Sequence, residues 1–292
     1  MEPFILIRGT PQNPTFDAGR LEGLIDTFAL RALDVFVCAY MRSGTSWTQQ
    51  IVHLLRHGGQ QAGLSYRQSV PWLEATCSSV LGPIEAPGHT PESLAAVPDT
   101  TRRFFKTHAA PRDLPGSRGG GHIPCKVLYV ARNPKDVAVS QYHHVRDKPA
   151  YRWRMSFAEF LDRFLVGGVP NGSWFDHVLA WWDRFRRNPS SMLFLKYEDL
   201  LTDPAAGVRA VAEFLDIPTD EGLVRRVVQG ADLQAMKTHP LTRMGFGHFR
   251  KGLCGQWREY FTPEQNQAFD EHCRRRMSGS GLTFSFGDEA PT

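Results

Sequence analysis

The chain has 292 residues, 41% hydrophobic and 22% charged, with a formal charge of +4 at pH 7. A chain of this length buries about 75% of its unfolded surface and needs no disulfide or metal to fold; its 26 glycines and 20 prolines are too few for a fibrous or low-complexity protein. The charge excess is too small for a histone-like or membrane-coating protein, yet it allows a local basic pocket for an anion.

At the start of the chain, Phe4 to Ile7 is a short apolar run closed by Arg8 and Gly9. It falls short of the roughly 7–15 apolar residues of an export signal and the roughly 20 of a membrane span. Mobile ends are expected over about residues 1–15 and 287–292. The stretch Asp34 to Tyr40 reads as a buried strand, followed by an amphipathic helix carrying Trp47, Ile51, Val52, Leu54 and Leu55 and stopped at Gly58-Gly59. Arg103 to Thr107 and Lys126 to Ala131 read as two more strands, separated by a glycine-rich loop over Gly116 to Gly121. Asn133-Pro134 opens a helix with Pro at its first position. Met192 to Tyr197 reads as a fourth strand, and Asp203-Pro204 opens a helix carrying Val208, Val211, Ala212, Phe214 and Leu215. Strands alternating with helices predict a single α/β domain with a central parallel sheet flanked by helices. Ligands of such folds bind at the carboxyl ends of the strands.

Cations and hydroxyls collect at those ends. After the first strand comes Met41-Arg42-Ser43-Gly44-Thr45-Ser46-Trp47, a tight loop running straight into a helix. Gly44, the hydroxyls of Ser43, Thr45 and Ser46, the Arg42 cation and free helix-start amides can cradle an anion. A well-capped helix without ligand would use the same residues, and the ATPase pattern GxxxxGK[ST] is absent. Arg132 ends the third strand, where it can grip a phosphate or pair with Asp136, and Ser140 follows on the next helix. Alternation places Lys106 and His108 on one side of an extended segment. A cation beside an imidazole suits a transfer reaction, in which the imidazole takes a proton and the cation meets developing negative charge. Arg250-Lys251-Gly252 adds cations that could close over a polyanion.

These motifs, in this order from about Asp34 to Phe286, resemble the cytosolic sulfotransferases that use 3′-phosphoadenosine 5′-phosphosulfate (PAPS). Val70-Pro71-Trp72-Leu73-Glu74, Leu195-Lys196-Tyr197-Glu198-Asp199 and Trp181-Trp182 fit the same pattern. The resemblance implies one sulfotransferase domain over residues 1–292, with a P-loop-like phosphosulfate-binding loop. Arg42, Ser43, Gly44, Thr45 and Ser46 would hold the 5′-phosphosulfate, and Trp47 and Tyr197 the adenine. Arg132, Ser140, Arg250, Lys251 and Gly252 would hold the 3′-phosphate. His108 would be the catalytic base, with Lys106 and Arg42 stabilising the transferring group. PAPS would be the co-substrate, with no metal, and the partner a small-molecule acceptor rather than nucleic acid or membrane.

The chain departs from the family at several positions. Arg42 stands where Lys is usual and keeps the charge but cannot give up its proton; a slow or non-catalytic nucleotide-binding protein is therefore the competing reading. Met41 replaces a Pro. Ala231, Asp232 and Leu233 replace Thr, Ser and an aromatic, so Asp232 is expected to point away from the nucleotide. His248 and Phe249 replace a Phe-Met pair. The family's dimer motif is degenerate here, at Arg258, Thr262, Pro263 and Gln267, so a homodimer is possible but not assumed. The acceptor is expected against residues 60–98, 142–157 and 236–249, whose aromatics suit an apolar molecule.

Other features read more plainly. Cys38, Cys77, Cys125, Cys254 and Cys273 form no CxxC pair, against a zinc ribbon and for a reducing compartment, the cytoplasm. His53 and His57 have metal-compatible spacing but no third ligand, and fit a polar helix face. One of His143 and His144 could touch the acceptor. Arg146 to Arg154, with Tyr151 and Trp153, suits a loop over the acceptor pocket better than a nucleic-acid surface. Arg274 to Arg276 suits a solvated helix face.

Overall fold

A computed structural model describes residues 4–117, 123–243 and 252–287. Two short strands, β1 (Ile5–Ile7) and β2 (Thr10–Gln12), pair as an antiparallel hairpin. Four further strands, β3 (Val35–Cys38), β4 (Phe104–Thr107), β5 (Lys126–Ala131) and β6 (Met192–Lys196), form one parallel sheet in the order β4-β3-β5-β6. The chain steps from β3 to one side, then crosses to the other, so the sheet's switch point lies between β3 and β5. Val35 pairs with Phe104 on one flank and Lys126 on the other, which brings the carboxyl ends of three strands level.

Alternation along β3 explains the two-sided burial. Phe36 and Cys38 enter the larger core, with Phe105, Tyr129 and Trp181. Val35 and Val37 enter the core on the opposite face, with Phe104 and Leu128. A strand covered on both faces loses the polar half of its pattern. The helix Thr45–Arg56 supplies Ile51, Val52, Leu54 and Leu55 to the second core and ends before Gly58 and Gly59, both at positive φ. The helix Pro204–Phe214 adds Val208, Val211 and Ala212 to the same core.

The strands expected at Asp34 to Tyr40 and Met192 to Tyr197 are shorter than that. Beyond Cys38 the backbone turns into the loop, and Tyr197 already begins the helix Tyr197–Thr202. The segment before residue 16, expected as a mobile end, carries the β1–β2 hairpin, and Asn171 donates its amide to Pro11 across it at 2.7 Å. The glycine-rich loop lies outside the described residues from 118 to 122; Gly116 itself is packed, since an added Cβ would lie 2.3 Å from the Phe28 carbonyl. All five cysteines are unpaired. Among the described residues, no helix is long and apolar enough to cross a membrane.

Candidate active site

A cavity of about 1140 Å³ opens at the carboxyl ends of β3, β4 and β5. Arg42, Gly44, Thr45, Ser46, Trp47, Lys106, His108, Arg132, Ser140, Tyr197 and Gly252 all line it. Ser43 sits just behind the wall, fully buried. Arg250 and Lys251, and with them His248 and Phe249, lie outside the described residues.

The first loop is shaped by two left-handed residues, Arg42 at φ 68° and Gly44 at φ 103°. Gly44 has a second reason to lack a side chain, because a Cβ there would come within 2.7 Å of the Tyr197 ring. Tyr197 is the hub of this end. Its ring meets Trp47 edge-on at 5.4 Å, and the Arg132 guanidinium lies over it at 4.5 Å. Arg42 Nε donates to Ser140 Oγ at 3.1 Å, tying the loop to the helix Pro134–Asp147. Three polar atoms here are buried with no hydrogen-bond partner: Ser43 Oγ, Thr45 Oγ1 and Arg132 Nε. Orphaned buried donors are costly. Two hydroxyls and a guanidinium N–H left unsatisfied at neighbouring strand ends fit an anionic ligand.

The remaining residues after Arg132 hold the frame rather than face the cavity, a role the sequence reading did not assign. Asn133 N–H donates to Glu198 at 2.9 Å, and Asp136 accepts from the backbone of Gly255 and Trp257 at 2.8 and 3.1 Å. Lys135 Nζ sits 4.2 Å from the Trp257 ring and pairs with Asp270. They seat the segment that follows Gly252.

Lys106 and His108 do share one side. The Trp72 ring lies between them, 4.4 Å from Lys106 Nζ and 5.1 Å from the imidazole. His108 Nδ1 is 2.8 Å from the Ala39 carbonyl. A carbonyl only accepts, so Nδ1 carries the proton and Nε2 keeps its lone pair. Burial, then the nearby charge of Lys106, pushes the His108 pKa well below the usual imidazole value, so the ring is neutral near pH 7. Its backbone is also held, as Glu74 accepts from His108 N–H at 3.2 Å and His177 Nε2 donates to the His108 carbonyl at 3.1 Å. Lys106 Nζ pairs with buried Glu85 at 3.3 Å.

The far end of the cavity is apolar, with Phe16, Met41, Trp72, Leu81 and Ile84. All three expected stretches contribute to the cavity, the first through Arg67, Trp72 and Glu85, the second through His144, Lys148 and Tyr151, and the third through Met236 and Arg243. Gln12, Asn13, Thr15 and Phe16 were not foreseen. Nothing in a short N-terminal run marks it as a pocket wall, although Asn13 Nδ2 donates to Tyr151 Oη at 3.0 Å. Of the two histidines weighed for the acceptor, His144 lines the cavity and His143 bonds Tyr260 Oη at 2.8 Å. Tyr151 and Trp153 are buried, so the aromatics of the 146–154 stretch face inward and offer no stacking surface. Asp232, expected to point away from the nucleotide, is on the cavity wall, while its carboxylate accepts from Gln234 and Ala235 N–H of its own helix at 2.8 and 3.2 Å.

His53 bonds Ser69 and the Gln61 carbonyl, and His57 bonds the His53 carbonyl. Among the described residues, no group of three or more His, Cys, Asp or Glu side chains could hold a metal. Arg276 pairs with Asp176.

The parallel sheet, the anion cradle at its switch point and the neutral imidazole beside a lysine define an enzyme that moves an anionic group. Residues 33–281 match the sequence model of the sulfotransferase domain. The chain belongs to the cytosolic sulfotransferases, enzymes that use PAPS. It is 34% identical to human sulfotransferase 1C2 over 277 residues, covering 89% of this chain and 88% of that one. Mouse sulfotransferase 1B1 is 32% identical over the same shares. Mouse sulfotransferase SULT7A1, solved with PAP, superposes with a TM-score of 0.79 at 30% identity, over 96% of this chain and 97% of that one. Retinol dehydratase, solved with androsterone and the inactive cofactor PAP, reaches 0.75 at 27% identity, over 89% and 85%.

Proposed function

We propose that this protein moves the sulfuryl group of PAPS onto a hydroxyl or amine of a small, largely apolar acceptor, with His108 as general base. The reading extends to one sulfotransferase domain over residues 1–292, acting in the cytoplasm, where its five free cysteines stay reduced. Arg42, Ser43, Gly44, Thr45 and Ser46 would hold the 5′-phosphosulfate. Arg132 and Ser140 would hold the 3′-phosphate together with Arg250, Lys251 and Gly252, and Trp47 and Tyr197 the adenine. PAP in the two solved relatives and the orphaned donors at Ser43, Thr45 and Arg132 support this assignment.

The acceptor would attack sulfur in line with the departing phosphate. His108 Nε2 takes the acceptor's proton; the bond from sulfur to the acceptor forms as the bond to the bridging oxygen breaks, and the electron pair leaves with the phosphate. Arg42 and Lys106 meet the charge that develops on that oxygen. Because the leaving phosphate is a weak base, the step requires neither a metal nor a strong acid. Positioning and preorganised charge carry the rate, worth several kcal/mol together.

The observation that carries this reading is the Nδ1 bond to Ala39, which makes Nε2 the proton-accepting nitrogen on a residue lining the cavity. The competing reading, a nucleotide-binding protein with little turnover, draws on Arg42: its Nε is engaged by Ser140, and guanidinium cannot act as an acid. Transfer of labelled sulfate from PAPS to a panel of phenols, alcohols and amines separates the two. His108→Ala should lower turnover by about 10²–10⁴, the usual share of a general base. PAP affinity should stay within about tenfold, or 1.4 kcal/mol. Turnover unaffected by this substitution ends the assignment of the base.

A further inference from the structure

The apolar end of the cavity contains a cation that the reaction does not use. Arg67 lies in the short helix Tyr66–Ser69, on the wall that continues through Trp72, Leu81, Ile84 and Glu85. Its Nε and Nη1 are closed off from solvent, and neither makes a hydrogen bond. The Tyr66 ring lies 5.2 Å from its guanidinium carbon, and the Tyr66 hydroxyl is likewise buried. Burial drives the Tyr66 pKa up to about 12, with the Arg67 charge offsetting part of that, so the phenol stays protonated and can donate.

The charges around Arg67 do not neutralise it. Among the described residues, the cavity wall holds two carboxylates, Glu85 and Asp232. Glu85 pairs with Lys106, and Asp232 caps its own helix. On the proposed reading, Arg42 and Arg132 answer the donor's phosphates. Arg67 is left over, with Lys148 and Arg243 on the same cavity wall. A guanidinium N–H pair withheld from water in an apolar pocket is stabilised only by an acceptor of hydrogen bonds, best of all a planar anion that it can meet at two points.

We infer that the acceptor carries a carboxylate, and that Arg67 receives it while the hydroxyl or amine to be sulfated lies at His108. The substrate class is then an aromatic or otherwise apolar acid with a nucleophilic group, not a neutral phenol or steroid. This rests on the reading of the cavity as a sulfotransferase site. It deepens that reading by naming a specificity-determining residue at the acceptor end.

The test uses matched acceptors on the purified full chain with PAPS. Hydroxyphenyl-acetic, -propanoic and -butanoic acids span the distance between the two ends, each paired with its methyl ester. Wild type should favour at least one acid over its ester by roughly tenfold in kcat/KM, the worth of one charge-assisted hydrogen bond. Arg67→Gln should bring that acid-to-ester ratio down by a similar factor, and Arg67→Lys should keep part of it. Binding of the same acids and esters to the PAP-saturated protein, read by calorimetry, gives the preference independently of turnover. Esters preferred throughout, or an acid preference that survives Arg67→Gln, overturn the inference. So does a rise in KM for PAPS in Arg67→Gln with the ratio unchanged, which moves Arg67 to the donor. A protein that fails to bind PAP at all instead sinks the sulfotransferase reading on which the inference stands.

Discussion

The two ends of the cavity are built by different means. The end proposed for the nucleotide is made of strand-to-helix junctions: Gly44 closes the short loop between β3 and the next helix, and Arg132 and Tyr197 directly follow β5 and β6. The sheet register sets where these residues stand, and packing on one ring, Tyr197, locks them together. The end proposed for the acceptor is assembled from the residues after an N-terminal hairpin, a one-turn helix and the segment that follows the helix Pro134–Asp147, with no shared strand to align them. A scaffold made of hydrogen-bonded ladders tolerates little change, whereas loops laid on it can vary without disturbing the sheet. On the proposed reading, one end carries the transfer chemistry and the other selects the acceptor.

That contrast can be broken. Arg132→Ala removes a guanidinium that packs on Tyr197 and donates to the Leu253 carbonyl at 2.8 Å. It should weaken PAP binding by roughly a hundredfold, about 3 kcal/mol for a charged hydrogen-bonding group, as read by calorimetry. The acceptor KM, measured at saturating PAPS, should move far less; an equal loss at both ends would mean that they are not separable. Arg42→Lys comes next. It restores the residue usual in the family and keeps the charge, so turnover should change by less than about 100-fold, on the order of 3 kcal/mol of barrier. Inert wild type with an active Arg42→Lys would convert the protein into a disabled relative.

The mildest test concerns pH and sharpens the picture of a rigid interior behind the site. Burial holds His177 and His53 at about 4, below the ordinary imidazole value. The unfolded chain then binds protons near pH 6.5 that the native state refuses. Stability should be intact above that pH and decline as pH falls toward 4, seen as a lower urea midpoint at pH 5 than at pH 7.5. His177→Gln, which can still hydrogen-bond, should flatten the slope. An unchanged slope would remove His177 from the account.

Much of the end proposed for the donor was legible as a cation- and hydroxyl-lined strand end because its signals are local. A strand, a glycine and a hydroxyl-rich helix start are contiguous in the chain, and their geometry follows from a few dihedral angles. Lys106 and His108 were placed on one side by the two-residue period of an extended chain, and the Trp72 ring between them confirms it. The roles of Asn133, Lys135 and Asp136 were missed. Their partners, Glu198, Asp270 and the backbone at Gly255, lie far along the chain, and no local pattern announces them.

The sequence by itself determined the alternation of strands and helices, the cation-bearing strand ends and the family, since hydrophobic period and turn chemistry act over a few residues. Only the tertiary structure decided which nitrogen of His108 carries the proton, that the N-terminal hairpin reaches the cavity, and that Arg67 faces it with two N–H groups unanswered. Those features depend on contacts between segments remote in sequence, and burial, which sets their electrostatics, exists only once the chain has closed around them.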